Sequence, residues 1–209
     1  MIMETFRVGM LQCNCTIMAA EGSDQAIVVD PGDDADQILD RLRAHGLTLQ
    51  KIICTHAHID HVGAIHELQQ RTGASASIHE HDLLLLESLQ EQAGWLNMPA
   101  PRKGHVEKFL NDGDKVSCHG LEIGVVHTPG HTRGSLTFHL EQDRDILFTG
   151  DTLFQNSIGR TDLPGGSTPD ILESIKSRLM VFEEDTLVIP GHGPGTTIGR
   201  EKSDNPFLR

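Results

Sequence analysis

The stretch Thr55-His56-Ala57-His58-Ile59-Asp60-His61 places three imidazoles and a carboxylate within six residues. All four are donors that borderline divalent metals accept. Two imidazoles at i and i+2 can converge on one ion, while Asp60 and His61 point towards a neighbouring position. A polar loop with histidines scattered through it would not concentrate them so densely.

The elements around this stretch must present it. Lys51-Ile52-Ile53-Cys54 reads as a buried strand, so the polar loop after it falls at the C-terminal edge of a sheet. That is where open α/β proteins bind ligands. Val62, Ile65 and Leu68 recur with a helical period, and His61 is expected to open a helix. Before the cluster, Thr5–Val8, Cys15–Met18 and Ala26–Val29 read as short strands. Asp30-Pro31-Gly32 is turn chemistry. Ala35–His45 is amphipathic, with Gly46 as its stop. After the cluster come a strand at Ser75–Ile78 and a helix over Asp82–Gln92. Gly94–His105, rich in Pro and Gly and holding the only Trp, is expected to be a surface connection pinned by Trp95.

From Glu107 the chain turns strand-rich. Glu107–Leu110, Lys115-Val116, Leu121–His127, Ser135–Leu140, Ile146–Thr149 and Leu187–Ile189 are the expected strands. Thr168-Pro169-Asp170 opens a helix whose buried face is Ile171, Leu172, Ile175 and Leu179. With 209 residues and no break in composition, one domain over residues 1–209 is expected.

Composition narrows the function classes. No run of about 18 apolar residues occurs, so no membrane span is expected. The first residues lack a basic segment followed by an apolar run, so no signal peptide is expected and a cytoplasmic location follows. Cys13, Cys15, Cys54 and Cys118 are then read as reduced, buried thiols. A formal net charge of −13 without a Lys/Arg stripe speaks against a nucleic-acid partner. Of thirteen histidines, His45, His66, His79, His81, His105, His119, His127 and His139 lie outside any motif and are read as structural or surface residues.

The Thr-His-x-His-x-Asp-His pattern is that of the metallo-β-lactamase superfamily, and the chain resembles this family over nearly its full length. The resemblance implies an α/β fold, a four-layer αββα sandwich. Three further polar residues stand where an expected strand has just ended, each preceded by glycine: His131 in Pro129-Gly130-His131, Asp151 in Thr149-Gly150-Asp151 and His192 in Pro190-Gly191-His192. By family resemblance, His56, His58 and His131 hold a first metal. Asp60, His61 and His192 hold a second, Asp151 bridges the two, and Asp30 supports the metal loop from behind. Two divalent ions are implied, zinc first, with iron or manganese suiting the same donors. The chemistry implied is attack by a metal-bridging hydroxide, with Asp60 orienting it and taking up its proton.

Within the superfamily, Thr149-Gly150-Asp151-Thr152-Leu153-Phe154 and Ile158-Gly159-Arg160-Thr161-Asp162 resemble the glyoxalase II group, and the tail Asn205-Pro206-Phe207-Leu208 looks like its short form. That group hydrolyses S-acylglutathione thioesters such as S-lactoylglutathione. The resemblance makes Arg160 the candidate contact for the glutathione moiety. The alternative is that it pairs with Asp162. One departure is that only 17 residues follow His192, too few for the C-terminal helical glutathione-binding domain of the full-length enzymes. An iron-dependent persulfide dioxygenase shares the Gly-Arg-Thr-Asp element and is the competing reading, although its last ligand usually follows Ala rather than Gly191. A hydrolase of another small ester or lactone, and a metal-binding protein without catalysis, rank below these.

Overall fold

The computed structural model describes residues 1–209, which divide into two compact units. The first is Met1–Leu110 with Ser117–Leu121, and the second is Asn111–Val116 with Glu122–Arg209.

In the first unit, β1 (Ile2–Val8), β2 (Cys13–Ala19), β3 (Gln25–Val29), α1 (Ala35–Ala44), β4 (Thr48–Ile53), α2 (Ile59–Val62), α3 (Ile65–Thr72), β5 (Ser75–Ile78), α4 (Leu83–Glu87), α5 (Leu89–Leu96) and β6 (Lys108–Phe109) follow in order. The sheet runs β1-β2-β3-β4-β5-β6. β1 to β3 pair antiparallel and β3 to β6 pair parallel. Strands buried on both faces read as unbroken apolar runs, and β3 does so from Ala26 to Val29. α1 buries Ile38, Leu39 and Leu42 in the core that Ile17, Val28 and Ile52 also enter. Truncating such a buried Leu or Ile to Ala costs about 2–5 kcal/mol. Gly46 ends α1 in the left-handed conformation, with the amides of Gly46 and Leu47 returning to the Arg43 and Leu42 carbonyls.

Three expectations need correction here. His61 does not open a helix; it lies inside the one-turn α2, which His58 precedes. The helix expected over Asp82–Gln92 is broken into a tight turn at Glu80–Asp82, then α4 and α5, with Ser88 at the join. Asp82 and Gln92 are both buried. Trp95 belongs to α5 and is 49% exposed, so it does not pin the loop that follows.

The second unit contains β7 (Lys115–Cys118), whose last residues cluster with the first unit, then β8 (Leu121–His127), β9 (Leu136–Leu140), β10 (Ile146–Gly150), β11 (Leu153–Phe154), β12 (Ser157–Ile158), α6 (Thr168–Ser174), β13 (Leu187–Pro190), β14 (Thr196–Thr197) and α7 (Ile198–Asp204). The sheet order is β14-β13-β10-β9-β8-β7, with β11 and β12 forming a separate hairpin. β10 and β13 are parallel, while β9 is antiparallel to both β8 and β10, so β8, β10 and β13 all run the same way. The cap of α6 is Ser167, one residue before the expected Thr168, and its hydroxyl accepts the Asp170 amide. α6 continues as a wider turn over Ile175–Leu179, and Ile171, Ile175 and Leu179 are fully buried beside Leu147 and Val188. The hairpin, β14 and α7 escaped the sequence reading. Buried Glu201 in α7 ties them together, accepting from the Asn156 amide, Thr196 Oγ1 and Asn205 Nδ2 at 2.6–2.9 Å.

Candidate metal centre

β3 and β4 pair in parallel from Gln25↔Thr48 to Val29↔Ile53, with one register shift after Ala26, so their C-terminal ends reach one edge of the first sheet. Asp30 leaves β3 there, and Thr55 to His61 leave β4 there. Asp30 is buried in the left-handed region, with φ 50°. A non-glycine residue stays in that conformation only when its surroundings over-determine it. They do so here. Oδ1 accepts the Thr55 amide at 2.7 Å, and Oδ2 accepts the Thr55 hydroxyl at 2.7 Å and His61 Nδ1 at 3.0 Å.

Two residues that the sequence did not single out hold the same loop from the other side. Asp82 Oδ2 accepts the Ala57 amide at 3.1 Å. Gln92 Oε1 accepts the Ile59 amide at 2.8 Å, while its Nε2 donates to the Leu85 carbonyl at 2.8 Å. Both are buried. No local pattern marks either one; each acts across 25 or more residues.

The loop so held draws its imidazoles together. The His56 ring lies 4.8 Å from that of His58 and 4.0 Å from that of His61, centroid to centroid. Asp60 Oδ2 stands 3.8 Å from His61 Nε2. Cys13 Sγ lies 3.6 Å from His61 Nδ1, and burial pushes its thiol up to about 12. Burial raises Cys15 and Cys54 as well, so these remain neutral thiols at neutral pH.

In the second unit, three strands running the same way end at one sheet edge, and His131, Asp151 and His192 follow β8, β10 and β13 respectively. Gly130 and Gly150, before the first two, have positive φ; Gly191, before the third, does not. The Gly191 amide instead donates to the Gly150 carbonyl at 2.8 Å, which sets His192 beside Asp151. The two carboxylate oxygens of Asp151 face different imidazoles: Oδ2 is 3.7 Å from His131 Nε2 and Oδ1 is 3.8 Å from His192 Nε2. These distances are too long for hydrogen bonds. They come near the roughly 3.4 Å expected between two ligands sharing a tetrahedral ion.

Arg160 contributes in an unexpected way. Its guanidinium makes a bidentate pair with Asp162 at 2.7 and 2.8 Å, and its carbonyl accepts from His131 Nδ1 at 2.8 Å. The Arg160 hydrogen bonds hold Asp162 down at about 2. Gly159 makes the close approach possible, because a Cβ there would lie 1.7 Å from the Asp151 carbonyl oxygen.

The donors suit a metal. His61 and His131 each commit Nδ1 to an oxygen acceptor. The Thr55 hydroxyl, which donates to Asp30, can accept His56 Nδ1 at 3.1 Å. That pattern selects the tautomer whose Nε2 carries the lone pair, as metal-binding histidines require. Several remaining histidines have other tasks: His45 contacts Glu4, His139 contacts Asp145, and His127 contacts the Arg133 carbonyl.

Known proteins resemble this one along its whole length. An uncharacterized protein of Mycobacterium tuberculosis is 39% identical over all of this chain and 98% of its own length. Haemophilus influenzae hydroxyacylglutathione hydrolase GloC is 38% identical, again over all of this chain and 98% of that protein. Among solved structures, the B3 metallo-β-lactamase BLEG-1 matches with a TM-score of 0.91 at 33% identity, covering 99% of both chains. The di-iron-bound form of TTHA1623 matches at 0.88 and 34% identity, covering 98% of this chain and 100% of its own. ETHE1 from Myxococcus xanthus matches at 0.80 and 28%, covering 99% and 84%. The sequence profile of the metallo-β-lactamase superfamily matches residues 8–192; the chain belongs to that superfamily and has its mixed α/β fold.

Proposed function

We propose that the protein is a dinuclear-metal thioester hydrolase acting on S-acylglutathiones or close analogues. The observation that carries the reading is Asp151, whose two oxygens are directed at two different imidazoles. A carboxylate so placed can serve two ions at once. The likeness to GloC at 38% identity supports the thioester assignment. His56, His58 and His131 would hold one divalent ion and Asp60, His61 and His192 the other, with Asp151 reaching both. Bound there, two ions would bring the pKa of a shared water towards about 7 and polarise the substrate carbonyl.

Asp60 then orients the attacking water and accepts its proton. The new C–O bond forms at the acyl carbon, the C–S bond breaks, and the thiolate leaves to be protonated by solvent. The products are a carboxylic acid and a thiol. Arg160 is proposed to receive a carboxylate of the thiol moiety by exchanging its Asp162 partner. All four cysteines are buried free thiols. A cytoplasmic setting, which keeps thiols reduced, is part of this reading. No helix is long and apolar enough to cross a membrane.

The competing reading is an iron-dependent persulfide dioxygenase, supported by the likeness to ETHE1 and by iron in the TTHA1623 neighbour. Purified protein loaded separately with zinc, manganese and iron decides between them. Hydrolysis of S-lactoylglutathione without oxygen uptake is expected. Oxygen consumption on glutathione persulfide that tracks iron content would overturn the hydrolase. A chromogenic β-lactam belongs in the same panel because of BLEG-1, and turnover of that compound alone would reassign the substrate class.

A further inference from the structure

Beside Asp60 the first unit carries a cleft of about 290 Å³. Its walls are Val8, Met10 and Leu11 on one side and Met98, Pro99 and Ala100 on the other, and no cation lines it. Met10 and Leu11 are 71% and 41% exposed on the tip of the β1–β2 hairpin, in a protein whose net charge is −13. The tip is tied down. The Gly9 amide donates to Asp34 Oδ2 at 2.8 Å, and the Gln12 amide and side chain both return to the Gly9 carbonyl at 3.2 and 2.8 Å. Fixing two large apolar side chains in water costs free energy unless something apolar covers them. Gly32 in the floor lets the Asp60 backbone approach, since a Cβ there would lie 1.5 Å from the Asp60 carbonyl oxygen. The cleft is therefore built in contact with a residue assigned to the reaction. Its only charged groups are the Asp33 and Asp60 carboxylates, which repel an anionic guest. The volume is at the small end for ligand pockets, matching part of a ligand rather than all of it.

We propose that this cleft is the subsite for an apolar, medium-length acyl group of the thioester substrate. The proposal rests on the hydrolase reading and names its substrate class: acyl thioesters whose acyl chain is longer and less polar than lactoyl. Acyl burial there adds binding energy at the same carbon that Asp60 addresses, whichever thiol leaves.

The test uses the metal-loaded full chain and thioesters of one small uncharged thiol, N-acetylcysteamine, bearing acetyl, butyryl or octanoyl groups. It adds calorimetry with the non-hydrolysable thioether S-octyl-N-acetylcysteamine. The wild type is expected to show kcat/KM rising at least about tenfold from acetyl to octanoyl. Ala100→Trp, which fills the cleft, and Met10→Glu, which charges its exposed rim, should each lower the octanoyl-to-acetyl ratio by about tenfold or more. A flat chain-length profile in the wild type, or a ratio unchanged in both variants, overturns the proposal. If no thioester is hydrolysed, the hydrolase reading fails by itself and calorimetry decides the cleft. Thioether binding that Ala100→Trp abolishes upholds an apolar subsite, and absence of binding to the wild type overturns it.

Discussion

The carbonyl oxygen of Arg160 accepts the Nδ1–H of His131 at 2.8 Å, while the Arg160 side chain is occupied by Asp162. Backbone and side chain of one residue thus have separable roles. Gly159 sits between Arg160 and the Asp151 carbonyl with no room for a side chain. Gly159→Ala should therefore displace the Arg160 carbonyl and lower metal affinity about 10–100-fold. Arg160→Ala keeps the carbonyl and should retain its metal. Elemental analysis of both variants after dialysis against a graded chelator series checks this, and equal metal loss in the two would show that the carbonyl does not matter.

The side chain is tested separately. If Arg160 receives a substrate carboxylate, Arg160→Ala should raise KM for an acylglutathione several-fold with little change in kcat, as loss of uniform binding does. An uncharged thioester should be hydrolysed equally well by both forms. The pairing with Asp162 also makes a pH prediction. Asp162 has a folded-state pKa of about 2, below its ordinary value of 3.8. The pair should persist above that ordinary value and be lost as pH falls through about 2. NMR titration of the Asp162 carboxyl, in the wild type and in Arg160→Ala, reads the shift directly.

Asp30 accepts from three buried or backbone donors, and Asp30→Ala removes all three of these hydrogen bonds. Loss of about 3 kcal/mol is expected, since each hydrogen bond to the carboxylate is worth at least about 1 kcal/mol. For a chain of this size that is a fall in Tm of roughly 6–12 °C. Thermal unfolding in excess chelator separates this from any effect of metal. Gln92→Leu should be milder in Tm but should speed hydrogen exchange at the Ile59 amide, whose acceptor it removes. Unchanged exchange would place the rigidity of the loop elsewhere.

Metal-replete protein should hold about two divalent ions per chain. Asp151→Ala should lower both occupancy and turnover, because it removes the two oxygens that stand 3.7 and 3.8 Å from the His131 and His192 imidazoles. Stoichiometry that stays at one in excess metal would exclude the dinuclear reading. Chelation should also lower Tm, through loss of binding energy specific to the folded state.

The candidate donor residues were legible in the sequence because their signal is local. A strand ends, a turn follows, and a His or Asp stands within four residues of the strand's end, as at His56, His131, Asp151 and His192. The apolar periods of α1 and α6 were legible for the same reason. The tertiary structure decided what holds those donors. Asp82 and Gln92 lie in a segment whose pattern reads as one helix, whereas Asp82 stands in a tight turn before α4 and Gln92 in α5 beyond the join at Ser88, and both bond the loop after β4. Arg160 invited a reading through its charge, whereas its carbonyl is what reaches His131, and a carbonyl has no sequence identity. Glu201 looks like a surface acid in a polar tail until Asn156, Thr196 and Asn205 close around it. Periodicity and turn chemistry act over a few residues and can be read along the chain. Hydrogen bonds spanning 25, 29 or 45 residues depend on which elements packing brings together, and no local pattern encodes them.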